Sequence, residues 1–372
     1  MKNNRRDFLR ITGMAGIGLA SASTLPAPAF HVRSTRRSNE VVVENAVATL
    51  EKGSALSTPY WRVESGREGP SLLLIAAQHG NEVQGAEVAR RFMEVCARQL
   101  VAGTVWLIPM AELRGIRIRR YTVESGPELR IEDKAFHRSW PGSPTGNDTE
   151  RVAYALDQAV VRHCSHAVDM HCWTQVTAAM TFAQIDHKPS RSMAEVTTTR
   201  FITYRNAPDV TRNEKLMFGP LMYKRGTAFT VMELSGQYQM QERQVQTGLS
   251  SMVNIAKLLG MIEGEPRLPD GPRVAQSPEA NHEVLAPCSG IFVPAVGNDK
   301  STMLTPDDYV RAGSQLGHII RDGDLETIPI IAPVSGYLAK YGLCHWGVCD
   351  ASLPALHPYA EQGETVANIV TV

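Results

Sequence analysis

Apolar residues fall into two rhythms along this chain. Leu72–Ala77 is an uninterrupted apolar run, as a strand buried on both faces requires. Val105–Pro109, Ala167–His171 and Phe229–Leu234 read as further strands. Between them the spacing becomes helical. Val83, Ala86, Ala89, Phe92 and Met93 mark a helix over Val83–Arg98, and Val152, Leu156 and Val160 form one face of Thr149–His163. Val245–Leu259 is a third, long helix. Strands alternating with helices predict an α/β domain with a largely parallel sheet, over residues 38–262.

The rhythm then stops. Residues 263–281 are rich in proline, glycine and charge and read as a linker. Residues 282–372 are a β-rich domain containing an internal repeat. Ala286-Pro-Cys-Ser-Gly290-Ile-Phe returns as Ala332-Pro-Val-Ser-Gly336-Tyr-Leu, and Val310-Arg-Ala-Gly313 returns more loosely as Ala360-Glu-Gln-Gly363. Two such copies suggest a small pseudo-symmetric β-barrel or sandwich, like the biotinyl/lipoyl carrier fold. No Met-Lys-Met hairpin tip is present, so a structural or substrate-gating role is expected rather than a carrier role.

The N-terminus has a different character. Asn4-Arg5-Arg6-Asp7-Phe8-Leu9-Arg10 is a twin-arginine signature, followed by a weakly apolar Gly/Ala-rich stretch and by Ala27-Pro28-Ala29 as a cleavage site. Residues 1–29 are therefore expected to be an export signal and the mature protein to be periplasmic. The apolar stretch is short and broken by glycines, so no stable membrane span is expected after cleavage. Residues 30–40, with Arg33, Arg36 and Arg37, read as a polar lead. The 372 residues carry 38 basic and 38 acidic side chains, a balance that offers nucleic acid no electrostatic footing. Six cysteines are too few for a disulfide scaffold, although Cys344 and Cys349 are close enough in sequence to pair. The sequence is silent on oligomeric state.

The chemistry lies at the strand ends. His79 and Glu82 follow the first apolar run, and His171 ends the run Val168-Asp-Met-His171. Two imidazoles and a carboxylate, with a fourth position open, are the ligand set of a catalytic zinc. Gly80 allows a tight turn between the first two, and Asn81 tolerates left-handed backbone. Asp169 lies on the same side of its strand as His171 and is expected to orient a metal ligand. Glu233, in Thr230-Val-Met-Glu-Leu-Ser-Gly236, is a carboxylate within an apolar strand, a costly placement that suits a general base. Arg138 precedes a Trp140-Pro141-Gly142 turn and is suited to grip a substrate carboxylate. One of the cluster Arg114, Arg117, Arg119 and Arg120 is expected to polarise the scissile carbonyl.

Together these residues resemble the succinylglutamate desuccinylase/aspartoacylase family, a branch of the zinc carboxypeptidase-like fold, over residues 70–260. The family's Gly-x-His-Gly-(Asp/Asn)-Glu appears as Ala77-Gln78-His79-Gly80-Asn81-Glu82, with alanine replacing the first glycine. Its Asp-Leu-His appears as Asp169-Met170-His171, and its strand glutamate as Glu233. The resemblance implies a mixed, mostly parallel sheet flanked by helices. It also implies one Zn²⁺ per chain on His79, Glu82 and His171, with Glu233 as base. The family's Asp-Leu-Asn-Arg before Phe-Pro-Gly is altered: His137 stands for the asparagine, Arg138 matches the arginine, and Asp133 is displaced. Arg120 and Arg117 are the best matches for the carbonyl-polarising arginine. The substrate-binding set is thus Arg138, His137 and Arg117, with Arg120 catalytic.

The expected function is zinc-dependent hydrolysis of an amide bond outside a peptide, in a small anionic N-acyl amino acid or similar acylated amine. The competing readings are a periplasmic carboxypeptidase or cell-wall peptide hydrolase, and a non-catalytic zinc-containing binding protein.

Overall fold

A computed structural model describes residues 39–123, 135–208, 210, 216–297, 303–345 and 356–372. The export signal, Asp133 and Cys349 lie outside the described residues. The described residues belong to one compact unit.

Nine strands form the central sheet. They are β1 (Glu40–Thr49), β2 (Ala55–Glu64), β3 (Ser71–Ala76), β4 (Thr104–Ile108), β5 (His166–Trp173), β6 (Met180–Gln184), β7 (Phe201–Arg205), β8 (Ala228–Ser235) and β9 (Val274–Ala275). Their order is β1-β2-β4-β3-β5-β8-β6-β7-β9. The centre, β4-β3-β5-β8, is parallel, whereas β1-β2-β4 and the β8-β6 pairing are antiparallel. The expected mixed, mostly parallel sheet flanked by helices is therefore present. β9 belongs to the segment read as linker, where it pairs with β7 and joins the sheet.

The apolar run at β3 is explained by its two buried faces. Leu72, Leu74 and Ala76 pack with Phe92 of α1 (Gln84–Gln99) and Met252 and Ile255 of α6 (Glu242–Leu258). Leu73 and Ile75 face the other way, with Leu156 of α3 (Asp148–Ala159) and Phe218 of α5 (Phe218–Lys224). Alternation by two residues thus feeds two cores from one strand. α3 begins with a capping box, in which Asn147 and Glu150 exchange side-chain-to-backbone hydrogen bonds. Its buried Asp157 accepts two hydrogen bonds from Arg225, at 2.6 and 3.0 Å.

The C-terminal part holds two four-stranded antiparallel sheets. The first copy of the repeat supplies β10 (Asn281–Leu285), β11 (Gly290–Pro294), β12 (Tyr309–Val310) and β13 (Gln315–Arg321). The second supplies β14 (Thr327–Ile331), β15 (Gly336–Tyr341), β16 (Tyr359–Ala360) and β17 (Thr365–Val370). The sheets run β10-β17-β15-β12 and β14-β13-β11-β16. Exchanging the copies converts one order into the other, so each sheet takes two strands from each copy. The repeated glycines have equivalent surroundings. A Cβ on Gly290 would lie 2.1 Å from the Ile320 carbonyl oxygen, and one on Gly336 would lie 2.4 Å from that of Val370. Gly290→Ala and Gly336→Ala are each expected to cost about 1–3 kcal/mol through overpacking. Urea denaturation would test this, and equal stability with wild type would refute it.

This β-rich part packs directly on the large sheet. Ala339 and Val370 join Met180, Phe182 and Phe201 in one buried cluster. The Ala178 amide donates to the Ala339 carbonyl at 2.9 Å, and the Arg200 guanidinium meets Asp307 at 2.6 Å. The C-terminal part thereby braces β6 and β7, two strands that border the cavity described next.

Candidate active site

Three side chains converge beyond the C-terminal ends of the parallel strands. His79 and Glu82 occupy the turn between β3 and α1, and His171 projects from β5. One ligand atom from each lies within 4.8 Å of the others. His79 Nδ1 is 2.8 Å from Glu82 Oε1, His171 Nδ1 is 2.8 Å from Glu82 Oε2, and the two Nδ1 atoms are 3.2 Å apart. All three residues are buried. The Cys172 amide (3.2 Å) and Gln237 Nε2 (3.1 Å) also donate to the Glu82 carboxylate and fix its orientation. Burial alone would raise the Glu82 pKa, but the two imidazoles hold it well below the usual carboxylate range.

The far side of each imidazole is also held. His171 Nε2 lies 3.1 Å from Asp169 Oδ2. Gln78 Nε2 donates to Asp169 Oδ1 at 2.7 Å, and Trp140 Nε1 donates to Gln78 Oε1 at 2.7 Å. This buried relay leaves His171 Nδ1 facing the centre. His79 Nε2 meets His137 Nδ1 at 2.6 Å, and Tyr121 stacks on the His79 ring at 3.9 Å. Burial lowers the His137 pKa well below the imidazole range, aided by His79, His171 and Arg138, so His137 is neutral near pH 7. The residues present fit a divalent cation. Two borderline-soft nitrogens and a carboxylate face one point, and a second layer of hydrogen bonds fixes each ring. Gln78→Ala, which unties Asp169, is expected to lower metal affinity about 10- to 100-fold. Competition with a chromophoric chelator measures it, and unchanged affinity would deny the relay its positioning role.

The turn achieves this differently from the sequence reading. Neither Gly80 nor Asn81 has positive φ; the left-handed residue is Ala77, at φ 52°. Gly80 is required by close approach, because a Cβ there would lie 2.1 Å from the Gly115 carbonyl carbon and 2.4 Å from the Arg120 carbonyl oxygen.

Glu233 enters from β8, paired in register with His171. It lines the same cavity, of about 670 Å³, as His79, Glu82, His171, Asp169 and His137. Burial pushes the Glu233 carboxyl up to about 8; His171 opposes this, Glu82 and Asp169 add to it, and Arg205 opposes it. The predicted arginines lie elsewhere. Arg117 and Arg120 are exposed, Arg138 is half-buried on the turn carrying His137, and none of the three lines the cavity. Among the described residues, the arginine that does line it is Arg205, at the end of β7. Gln184 ends the neighbouring strand β6 as its register partner. The sequence reading missed both, since nothing local to either marks it.

Comparison with known proteins agrees with this arrangement. The family model described as "Succinylglutamate desuccinylase/Aspartoacylase catalytic domain" matches residues 68–259. An N-alpha-acetyl-L-2,4-diaminobutyric acid deacetylase from Halomonas elongata is 23% identical over 242 residues, 64% of this chain and 69% of that protein. An aspartoacylase family protein from Mesorhizobium loti has the same fold, with TM-score 0.62 and 19% identity over 89% of this chain and 95% of the other. So does the product-bound ectoine utilization protein EutE (DoeB) from Ruegeria pomeroyi, with TM-score 0.63 and 16% identity over 91% and 98%. The match spans more than half of the sequence and contains every residue of the metal-ligand cluster and Glu233: the chain belongs to the succinylglutamate desuccinylase/aspartoacylase family.

Proposed function

We propose that the protein is a zinc-dependent deacylase, splitting the amide bond of an N-acyl amino acid or a similar small acylated amine. The observation that carries this reading is the convergence of His79, Glu82 and His171 beside Glu233 in one cavity. The name of the Halomonas relative, a deacetylase of an acetylated amino acid, supports it.

When bound, zinc on His79, Glu82 and His171 supplies Lewis-acid activation of water and of the scissile carbonyl. Glu233 takes the proton of the attacking water and delivers it to the leaving nitrogen. Gln237 and the Cys172 amide keep the Glu82 carboxylate turned toward the imidazoles. Arg120 is assigned to the oxyanion on the family pattern, a role that requires its exposed side chain to turn into the cavity when substrate binds. Elemental analysis together with a panel of N-acyl amino acids, peptides and esters tests the reading. About one zinc per chain with turnover of acylated amines supports it, and metal-free protein after purification without chelators would end it.

Residues 1–29 are proposed to export the folded, metal-loaded protein through the twin-arginine route. Changing Arg5 and Arg6 to lysine is then expected to retain the protein in the cytoplasmic fraction. Unchanged periplasmic recovery would rule the route out.

A further inference from the structure

The cavity extends well beyond the metal ligands. On the face that carries Glu233, Met180 is opposite Glu233 and Phe182 is opposite Val231. Gln184 follows two residues later, so the face recedes from the base in steps of about 7 Å. Arg205 is paired with Gln184, yet its guanidinium carbon lies 4.0 Å from the centre of the Phe182 ring. Its charge is therefore folded back to about one step from Glu233. Among the described residues no carboxylate forms an ion pair with Arg205.

Arg205 itself is solvent-exposed, and buried polar groups belong to the residues around it. Gln184 Oε1, Gln237 Oε1 and Trp173 Nε1 all belong to residues lining the cavity, and these buried atoms have no hydrogen-bond partner among the described residues. Gln184 is 7% exposed and Gln237 6%. Buried polar atoms are ordinarily satisfied, so these side chains would gain a partner by turning toward a ligand in the cavity. Between them the wall is apolar, made by Phe218, Phe229 and Val231. A guanidinium stacked on an aromatic ring, with no ion-pair partner among the described residues, suits a planar carboxylate. The apolar wall suits a side group far larger than the hydrogen of glycine.

We infer that Arg205, with Gln184 beside it, anchors the free α-carboxylate of an N-acylated amino acid whose side chain is apolar and packs on Phe218, Phe229 and Val231. This rests on the deacylase reading. The carboxylate of such a substrate lies a few ångströms from its amide carbon, and hydrogen-bond contacts at either end extend that span enough to bridge Arg205 and Glu233.

The test uses the full zinc-loaded chain with N-acetyl-L-phenylalanine, its carboxamide, N-acetylglycine and N-octanoylglycine. Wild type is expected to prefer N-acetyl-L-phenylalanine over the carboxamide by about 10- to 100-fold in kcat/KM, as for a charge-assisted hydrogen bond. Arg205→Gln should bring that preference near unity, chiefly through KM, and Arg205→Lys should restore part of it. In parallel, calorimetry measures binding of N-acetyl-L-phenylalanine to metal-free wild type and Arg205→Gln. Thermal melting confirms that both variants are folded.

Turnover with no preference for the carboxylate, or an equal preference in Arg205→Gln, overturns the anchor and leaves the deacylase reading standing. Binding lost in Arg205→Gln, with no turnover of any acylated amine, upholds the anchor and overturns the deacylase. N-octanoylglycine outrunning N-acetyl-L-phenylalanine overturns the side-chain assignment by moving the apolar group to the acyl side. Neither binding nor turnover overturns both.

Discussion

Replacing Glu233 with glutamine is expected to lower turnover by about 10²- to 10⁴-fold, the range for loss of a general base, with metal content unchanged. Glutamine keeps the shape of the side chain and removes its ability to take a proton. Glu233 is not one of the three converging ligands, so the metal-binding cluster stays intact. The substitution should also be well tolerated by the fold. Burial raises the Glu233 carboxyl to about 8 by penalising its charge, a cost that a neutral amide avoids, whereas a bound cation nearby would favour the ionised form that accepts the proton. Steady-state kinetics alongside elemental analysis decides the matter: full turnover in metal-loaded Glu233→Gln removes Glu233 from the mechanism.

His171→Ala should fail in the opposite order, losing metal first. His171 is the only side chain contacting both Glu82, at 2.8 Å, and Asp169, at 3.1 Å, among the described residues. Burial works against its protonation, but Asp169 and Glu82 hold its pKa well above the imidazole range. Removing the ring deletes one ligand of three and leaves two buried carboxylates facing a void. Metal content below about a tenth of wild type is expected, since losing a direct ligand should exceed the 10- to 100-fold effect of outer-shell changes, and turnover should fall with it. Thermal melting should show lower stability as well, because truncating one partner of a buried charged pair costs about 3–5 kcal/mol. Stoichiometric metal in folded His171→Ala would mean that the cation sits elsewhere.

What the sequence could reveal depended on how locally each feature is encoded. β3, β5 and β8 were legible because strands buried on both faces have little choice but to be apolar throughout. The metal triplet was legible because it caps those runs. Residues set by register were hidden. Gln184 and Arg205 are 21 positions apart and become neighbours only when β6 and β7 pair. The relay from Trp140 through Gln78 to Asp169 spans 62 and then 91 positions. Ala77 reads as a departure from a family glycine, and only its backbone angle reveals the left-handed geometry a glycine would suit. The role of the arginine cluster was not legible, because charge along a segment does not say which way the segment faces. α2 (Leu113–Ile118) leaves Arg117 exposed, and Arg120 is exposed just beyond it.

The crossed pairing in the C-terminal part bears on how such a domain could arise. Neither copy of the repeat can complete a sheet from its own strands, because β17 needs β10 and β13 needs β14. A solitary ancestral copy would have met that need only by associating with its twin about a two-fold axis, each lending strands to the other. Fusing two such genes end to end would turn a concentration-dependent encounter into a permanent intramolecular one. The fused descendant no longer depends on finding a mate, and its two halves are then free to diverge, one of them toward the strands that hold the cavity.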